Sequence, residues 1–109
     1  GPEGQSALTD DEKAKAAAHR AQAERKLKMA RLLAQGELLD ESRSALLEAA
    51  QTMARALAVE SRLPEPASVS EAVLPPFSLC WKEALPHLRE FVANAGPPWL
   101  PTLDALSRV

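Results

Sequence analysis

His19, His87 and Cys80 are the side chains best suited to metal or nucleophile chemistry in this 109-residue chain. A zinc or di-iron site would need His-x-x-x-His, Glu-x-x-His or Cys-x-x-Cys spacing, and neither histidine has such a neighbour. Both read as surface or interface residues, and no metal ligand is predicted. Cys80 lies seven residues before His87, about 10 Å apart on a helix, too far for a thiol and its base to share a proton. Cys80 beside Trp81 therefore reads as a small buried apolar residue. The four glycines, Gly1, Gly4, Gly36 and Gly96, form no phosphate-cradling loop, and no Gly-x-Ser-x-Gly elbow occurs. The acidic groups Asp10-Asp11-Glu12 and Asp40-Glu41 are accounted for by helix starts. No catalytic residue and no cofactor is predicted.

Two constellations point to binding instead. The stretch Lys13–Arg31 is basic, with Lys13, Lys15, Arg20, Arg25, Lys26, Lys28 and Arg31 against Glu24 alone, and phosphate is attracted to such charge. At 100° per residue Lys13, Arg20 and Arg31 share a helical face, while Lys15 and Lys26 point elsewhere. Lys13, Arg20, Lys28 and Arg31 are the candidate nucleic-acid contacts, against the plainer reading of a solvated helix flanking its own apolar stripe. The second constellation is Pro97-Pro98-Trp99-Leu100-Pro101. A tryptophan held by rigid prolines makes a contact surface of low entropic cost, so Trp99, Leu100 and Pro98 are the candidate protein-partner contacts. The alternative is a lid that packs back on its own domain.

The elements that carry these residues are legible from composition. There are 21 Ala and 17 Leu but only 5 Val, no Ile and no Tyr, a mix that favours helices and excludes an all-β fold. Thr9-Asp10-Asp11-Glu12 is a capping box. It opens a long helix to Gln35 with Ala16, Ala23, Leu27, Ala30 and Ala34 on one face and Leu33 on its flank, and Gly36 is expected to stop it in the left-handed conformation. Asp40 is the expected N-cap of a second helix running to about Ser61. That helix carries an apolar stripe of Leu46, Ala50, Met53 and Leu57, broadened by Leu47, Ala54 and Ala58. A short link makes the two an antiparallel hairpin. Beyond Leu63-Pro64-Glu65-Pro66, Ser68-Val69-Ser70-Glu71 is a second capping box, for a short helix to about Leu74. Phe77–Ala95 reads as helix divided by Pro86, with Leu85, Leu88, Phe91 and Val92 inward. Thr102–Arg108 reads as a last short helix with Leu103 and Leu106 inward. The expectation is an all-α bundle: two long antiparallel helices covered by about three shorter ones. One domain spans residues 9–109, behind a flexible tail at residues 1–8.

Thirteen basic and fifteen acidic residues leave a net charge of −2, without the basic excess of a dedicated nucleic-acid module. No apolar run approaches the ~20 residues of a membrane span, and the lone Cys80 forms no internal disulfide. A cytoplasmic, non-membrane protein is expected. Gly1-Pro2 has the form of the scar left when a tag is cleaved off, which predicts an excised piece of something larger.

Ala23–Leu33, the Gly36-Glu37-Leu38-Leu39-Asp40-Glu41 turn and the Ala-rich helix that follows resemble the first hairpin of HEPN-type helical bundles. The register is also similar to helical domains at the carboxyl end of some bacterial Swi/Snf-type helicase ATPases. HEPN nucleases carry an Arg, then four to six residues, then His near the start of a late helix, and no Arg precedes His19 or His87 at that spacing, residues 80–82 being Cys, Trp and Lys. The resemblance therefore implies a non-catalytic interaction or regulatory domain of a larger bacterial protein, such as a helicase-like ATPase. It would dock a protein partner or other domains of its own polypeptide, or form a homodimer. Nucleic-acid binding through the first helix is the alternative, and a HEPN-type ribonuclease a second, weakened by the missing Arg.

Overall fold

A computed structural model describes residues 7–94 and 99–109. Most of the tail expected over residues 1–8 lies outside them, as does Pro97-Pro98. No strand occurs among the described residues, and the expected all-α bundle is what forms. Helix α1 spans Asp10–Gln35 and α2 spans Leu39–Ser61. The Thr9 capping box is complete: the Thr9 hydroxyl accepts from the Glu12 amide and the Glu12 carboxylate from the Thr9 amide, at 3.1 and 2.8 Å. That amide, more than the Arg62 guanidinium 3.3 Å away, holds the Glu12 carboxyl below its usual pKa.

The turn between the long helices departs from expectation by one residue. Gly36 keeps φ at −85°, and Glu37 takes the left-handed conformation at φ 64°. The amide of Glu37 donates to the Ala34 carbonyl and that of Leu38 to the Leu33 carbonyl, the paired bonds of a Schellman motif. Leu33 and Leu38 line one groove beside this turn. Leu38 stands at the N-cap of α2 without a side-chain cap. Asp40 is not the cap but lies in the first turn, where its charge still suits the helix dipole.

Helix α2 is the centre of the molecule. Its expected stripe is buried, and so are Ser42, Ala45, Ala49, Thr52 and Ala56 on its other sides, as befits a helix surrounded by protein. α1 covers it along its length with the small residues Ala16, Ala23 and Ala30 around Leu27. The remaining sides are covered by the proline-punctuated third of the chain: α3 (Val69–Ala72), a 3-10 helix (Phe77–Ala84), α4 (Leu85–Ala93) and α5 (Leu100–Ser107). Ser68 caps α3 through the Glu71 amide at 3.2 Å, although the helix ends two residues earlier than expected.

Phe77–Ala84 is the main correction. It is a 3-10 helix interrupted at Lys82 (φ 53°, ψ −124°), and α-helix resumes only at Leu85. Its buried residues are Phe77, Ser78 and Trp81 before the break and Ala84 after it, with Ser78 and Trp81 eclipsed at the three-residue step of a 3-10 helix. Pro86 divides the segment as expected by sitting in the first turn of α4, where its missing amide costs nothing. α4 ends at Ala93. Leu88, Phe91, Leu103 and Leu106 are buried as expected, with Leu85 and Val92 half-buried.

Candidate functional site

The residues expected to contact nucleic acid do not act together. Arg20 holds Glu60 of α2 through two hydrogen bonds of 2.6 and 2.7 Å, and Arg31 holds Asp104 of α5 at 2.8 Å. Two members of the shared Lys13–Arg20–Arg31 face therefore brace α1 against its neighbours. Lys26, on another face, pairs with Glu48 at 3.2 Å. Lys13, Lys15, Arg25 and Lys28 are exposed and make no ion pair among the described residues.

The Arg20 guanidinium, donating to the carboxylate, holds the Glu60 carboxyl below its ordinary value of 4.5, against the opposing effect of burial. A carboxyl whose pKa is depressed in the folded state stabilises the fold above pH 4.5. It loses that contribution as pH falls through the folded value. Glu60→Gln is expected to remove about 0.5–1 kcal/mol at pH 7, and urea unfolding of the variant should change less than wild type between neutral pH and pH 4.

The proline-flanked tryptophan takes the lid role. Trp99 is only 6% exposed, and its indole N–H donates to the Ser42 hydroxyl at 3.1 Å, which itself donates to the Ala30 carbonyl at 2.7 Å. This relay ties α5, α2 and α1 together, and it takes the ring away from the surface that a partner contact needs. Leu100 stays exposed, and Pro98 lies outside the described residues.

A cavity of about 320 Å³ opens beside Arg20, Glu60, Cys80, Lys82 and Arg108. The Cys80 thiol donates to the Ser61 hydroxyl at 3.4 Å, and no histidine stands in the wall. Glu60, kept anionic by Arg20, is a weak base there. His87 is on the outside, its carbonyl accepting from the Thr102 hydroxyl at 2.9 Å. No group of three His, Cys, Asp or Glu side chains able to hold a metal ion occurs among the described residues. None of their helices is long and apolar enough to cross a membrane.

The site that sequence reasoning missed is at the tip of the long hairpin. Met29, Leu32, Leu33 and Leu38 line an open groove of about 440 Å³ whose rim carries Arg25 and Lys28. Met29, Leu32 and Leu38 are 42%, 58% and 48% exposed. The helix lattice and the turn build it together. Met29, Leu32 and Leu33 stand three and four residues apart, with Leu32 roughly opposite the buried Ala23, Leu27 and Ala30 and Leu33 on the flank of that stripe, half-buried against the core, and the Schellman motif brings Leu38 into the same groove. The signal was present in the sequence as a second apolar stripe on α1, and the alanine stripe took the core reading in its place.

No protein-family model, curated protein or solved structure matches this chain.

Proposed function

We propose that this chain is a non-catalytic interaction or regulatory domain that docks a protein, or another domain of its own polypeptide, on the groove at the hairpin tip. The single observation behind this is the contiguous apolar groove of Met29, Leu32, Leu33 and Leu38, in which Met29, Leu32 and Leu38 stay exposed although another face of α1 already serves the core. Scattered exposed leucines are ordinary on a protein surface, whereas a continuous patch with a polar rim is the usual mark of a contact surface. Its setting in a larger bacterial protein of the helicase-like kind, and its HEPN-like character, rest on the sequence pattern of residues 23–57, and its cytoplasmic setting on the lone Cys80 and the want of a membrane-length apolar run.

A photoreactive amino acid at Leu32, in cells expressing the parent protein, tests the reading. Protein adducts are expected at this position and not at the control position Leu79, which is 78% exposed and away from the groove. Equal adducts at both, or none, reject it. Oligonucleotide binding that weakens steeply with salt and disappears on Lys13→Glu with Lys28→Glu would establish the nucleic-acid alternative instead.

A further inference from the structure

We propose that the occupant of the hairpin-tip groove is a second copy of this chain, joined by an antiparallel two-fold contact centred on Leu32. The inference rests on the groove being a docking surface and names what docks there.

Three observations single out a second copy. The first is that the chain itself displays a segment complementary to the groove. Glu37-Leu38-Leu39-Asp40-Glu41 is exposed at all five positions and combines two leucines with three carboxylates. The groove combines apolar side chains with the cations Arg25 and Lys28. The second is that these cations are unspent. Arg20, Lys26, Arg31, Arg55 and Arg62 each hold a carboxylate of the same chain, but Arg25 and Lys28, like Lys13 and Lys15 nearer the start of α1, hold none among the described residues.

The third is register. An isologous contact pairs residue i with j and j with i, so the surface must carry opposite charges at equal distances from its axis. Leu32 is the most exposed apolar side chain of the groove. Lys28 lies four residues before it, about 6 Å along the helix, and Glu37 five residues after it, just past the helix end. A two-fold axis through Leu32 sets Leu32 against its own copy and brings Lys28 of each chain to Glu37 of the other. Both ion pairs then flank a shared apolar strip built from Met29, Leu33 and Leu38.

The strip is short. It falls well below the ~800 Å² per partner of a standard stable interface, so a dissociation constant of roughly 10–100 μM is expected. Sedimentation equilibrium from about 5 μM to 1 mM brackets that range. Wild type is expected to pass from monomer to dimer across it. Leu32→Lys, which places two like charges on the axis but suits the last turn of α1, should stay monomeric with unchanged circular dichroism. Lys28→Glu and Glu37→Lys each put like charges opposite one another twice, and each should weaken the dimer about tenfold or more. An equimolar mixture of the two variants should recover association as a heterodimer, because the cross-pairs are again of opposite sign.

A wild-type chain that is monomeric at every concentration, or a dimer indifferent to all three substitutions, overturns the proposal. If Leu32 nevertheless cross-links to a different protein in cells, the docking reading stands and only the second copy is rejected. With no adduct and no dimer, both fail.

Discussion

Replacing Trp99 with alanine is expected to lower the unfolding free energy by about 3–5 kcal/mol. The ring is buried against the hairpin, and its removal leaves a void under α5. It also removes the indole N–H that the Ser42 hydroxyl accepts. Trp99→Phe keeps most of the apolar volume and loses only that hydrogen bond, so about 1–2 kcal/mol is expected. Ser42→Ala acts on the same relay from the other end. It strands the indole N–H away from water, while the Ala30 carbonyl keeps its intrahelical partner within α1, so about 1–3 kcal/mol is expected, and combined with Trp99→Phe it should cost less than the sum of the two. Urea unfolding followed by far-ultraviolet circular dichroism measures all three. A domain of this size has roughly 5–15 kcal/mol in total, so the alanine variant should be visibly marginal at 37 °C. A Trp99→Ala cost below about 1 kcal/mol would mean that the ring contributes little to the core, and would return Trp99 to the partner surface suggested by its proline neighbours.

That ambiguity shows where sequence stops being readable. The Thr9 capping box, the inward stripes of α1 and α2, and the breaks at Pro64 and Pro86 are local, and each was legible because its cause lies within a turn or two of chain. The use of Trp99 is decided by Ser42, 57 residues away, and nothing near Trp99 reveals it. Asp40 is a better N-cap than Leu38 by type. The Schellman motif closing α1 nevertheless delivers Leu38 to that position first. Phe77–Ala84 misled for a different reason. Inward residues three apart satisfy a 3-10 helix and an α-helix equally well, and only hydrogen bonding separates them. The groove was hidden by a reversal of the usual order. α1 carries a buried stripe rich in alanine around Leu27, while Met29 and Leu32 stay exposed and Leu33 is half-buried. Small side chains let α1 lie close on α2, itself rich in buried alanine, and leave Met29 and Leu32 outside. In the candidate nucleic-acid surface, the helical period sets Arg20 and Arg31 on one face, but their partners Glu60 and Asp104 lie 40 and 73 residues away.

Trp81→Ala is expected to cost as much as Trp99→Ala, about 3–5 kcal/mol, through a separate part of the lid. Trp81 is 1% exposed and meets the Phe77 ring edge-to-face at 6.1 Å, and its indole N–H donates to the Ala72 carbonyl at 3.0 Å. It thus holds the 3-10 helix to the end of α3, two pieces too short to be stable alone. Trp81→Phe should cost less, about 1–3 kcal/mol, chiefly from the unanswered Ala72 carbonyl. The two tryptophans share no hydrogen-bond or ring partner, so their alanine substitutions should add to within about 0.5 kcal/mol. The double variant would then lose roughly 6–10 kcal/mol, which is comparable to the whole stability of a small domain, and should be largely unfolded without denaturant. Since these are the only tryptophans, Trp99→Phe and Trp81→Phe each leave a single fluorophore, one in each half of the lid. Within each variant, tryptophan fluorescence and circular dichroism should report the same urea midpoint, because both halves close on the one helix α2 and a cooperative unit unfolds together. A fluorescence midpoint well below the helical one in either variant would mean that its part of the lid detaches first, and would lower the expected cost of the matching alanine substitution to that of local opening.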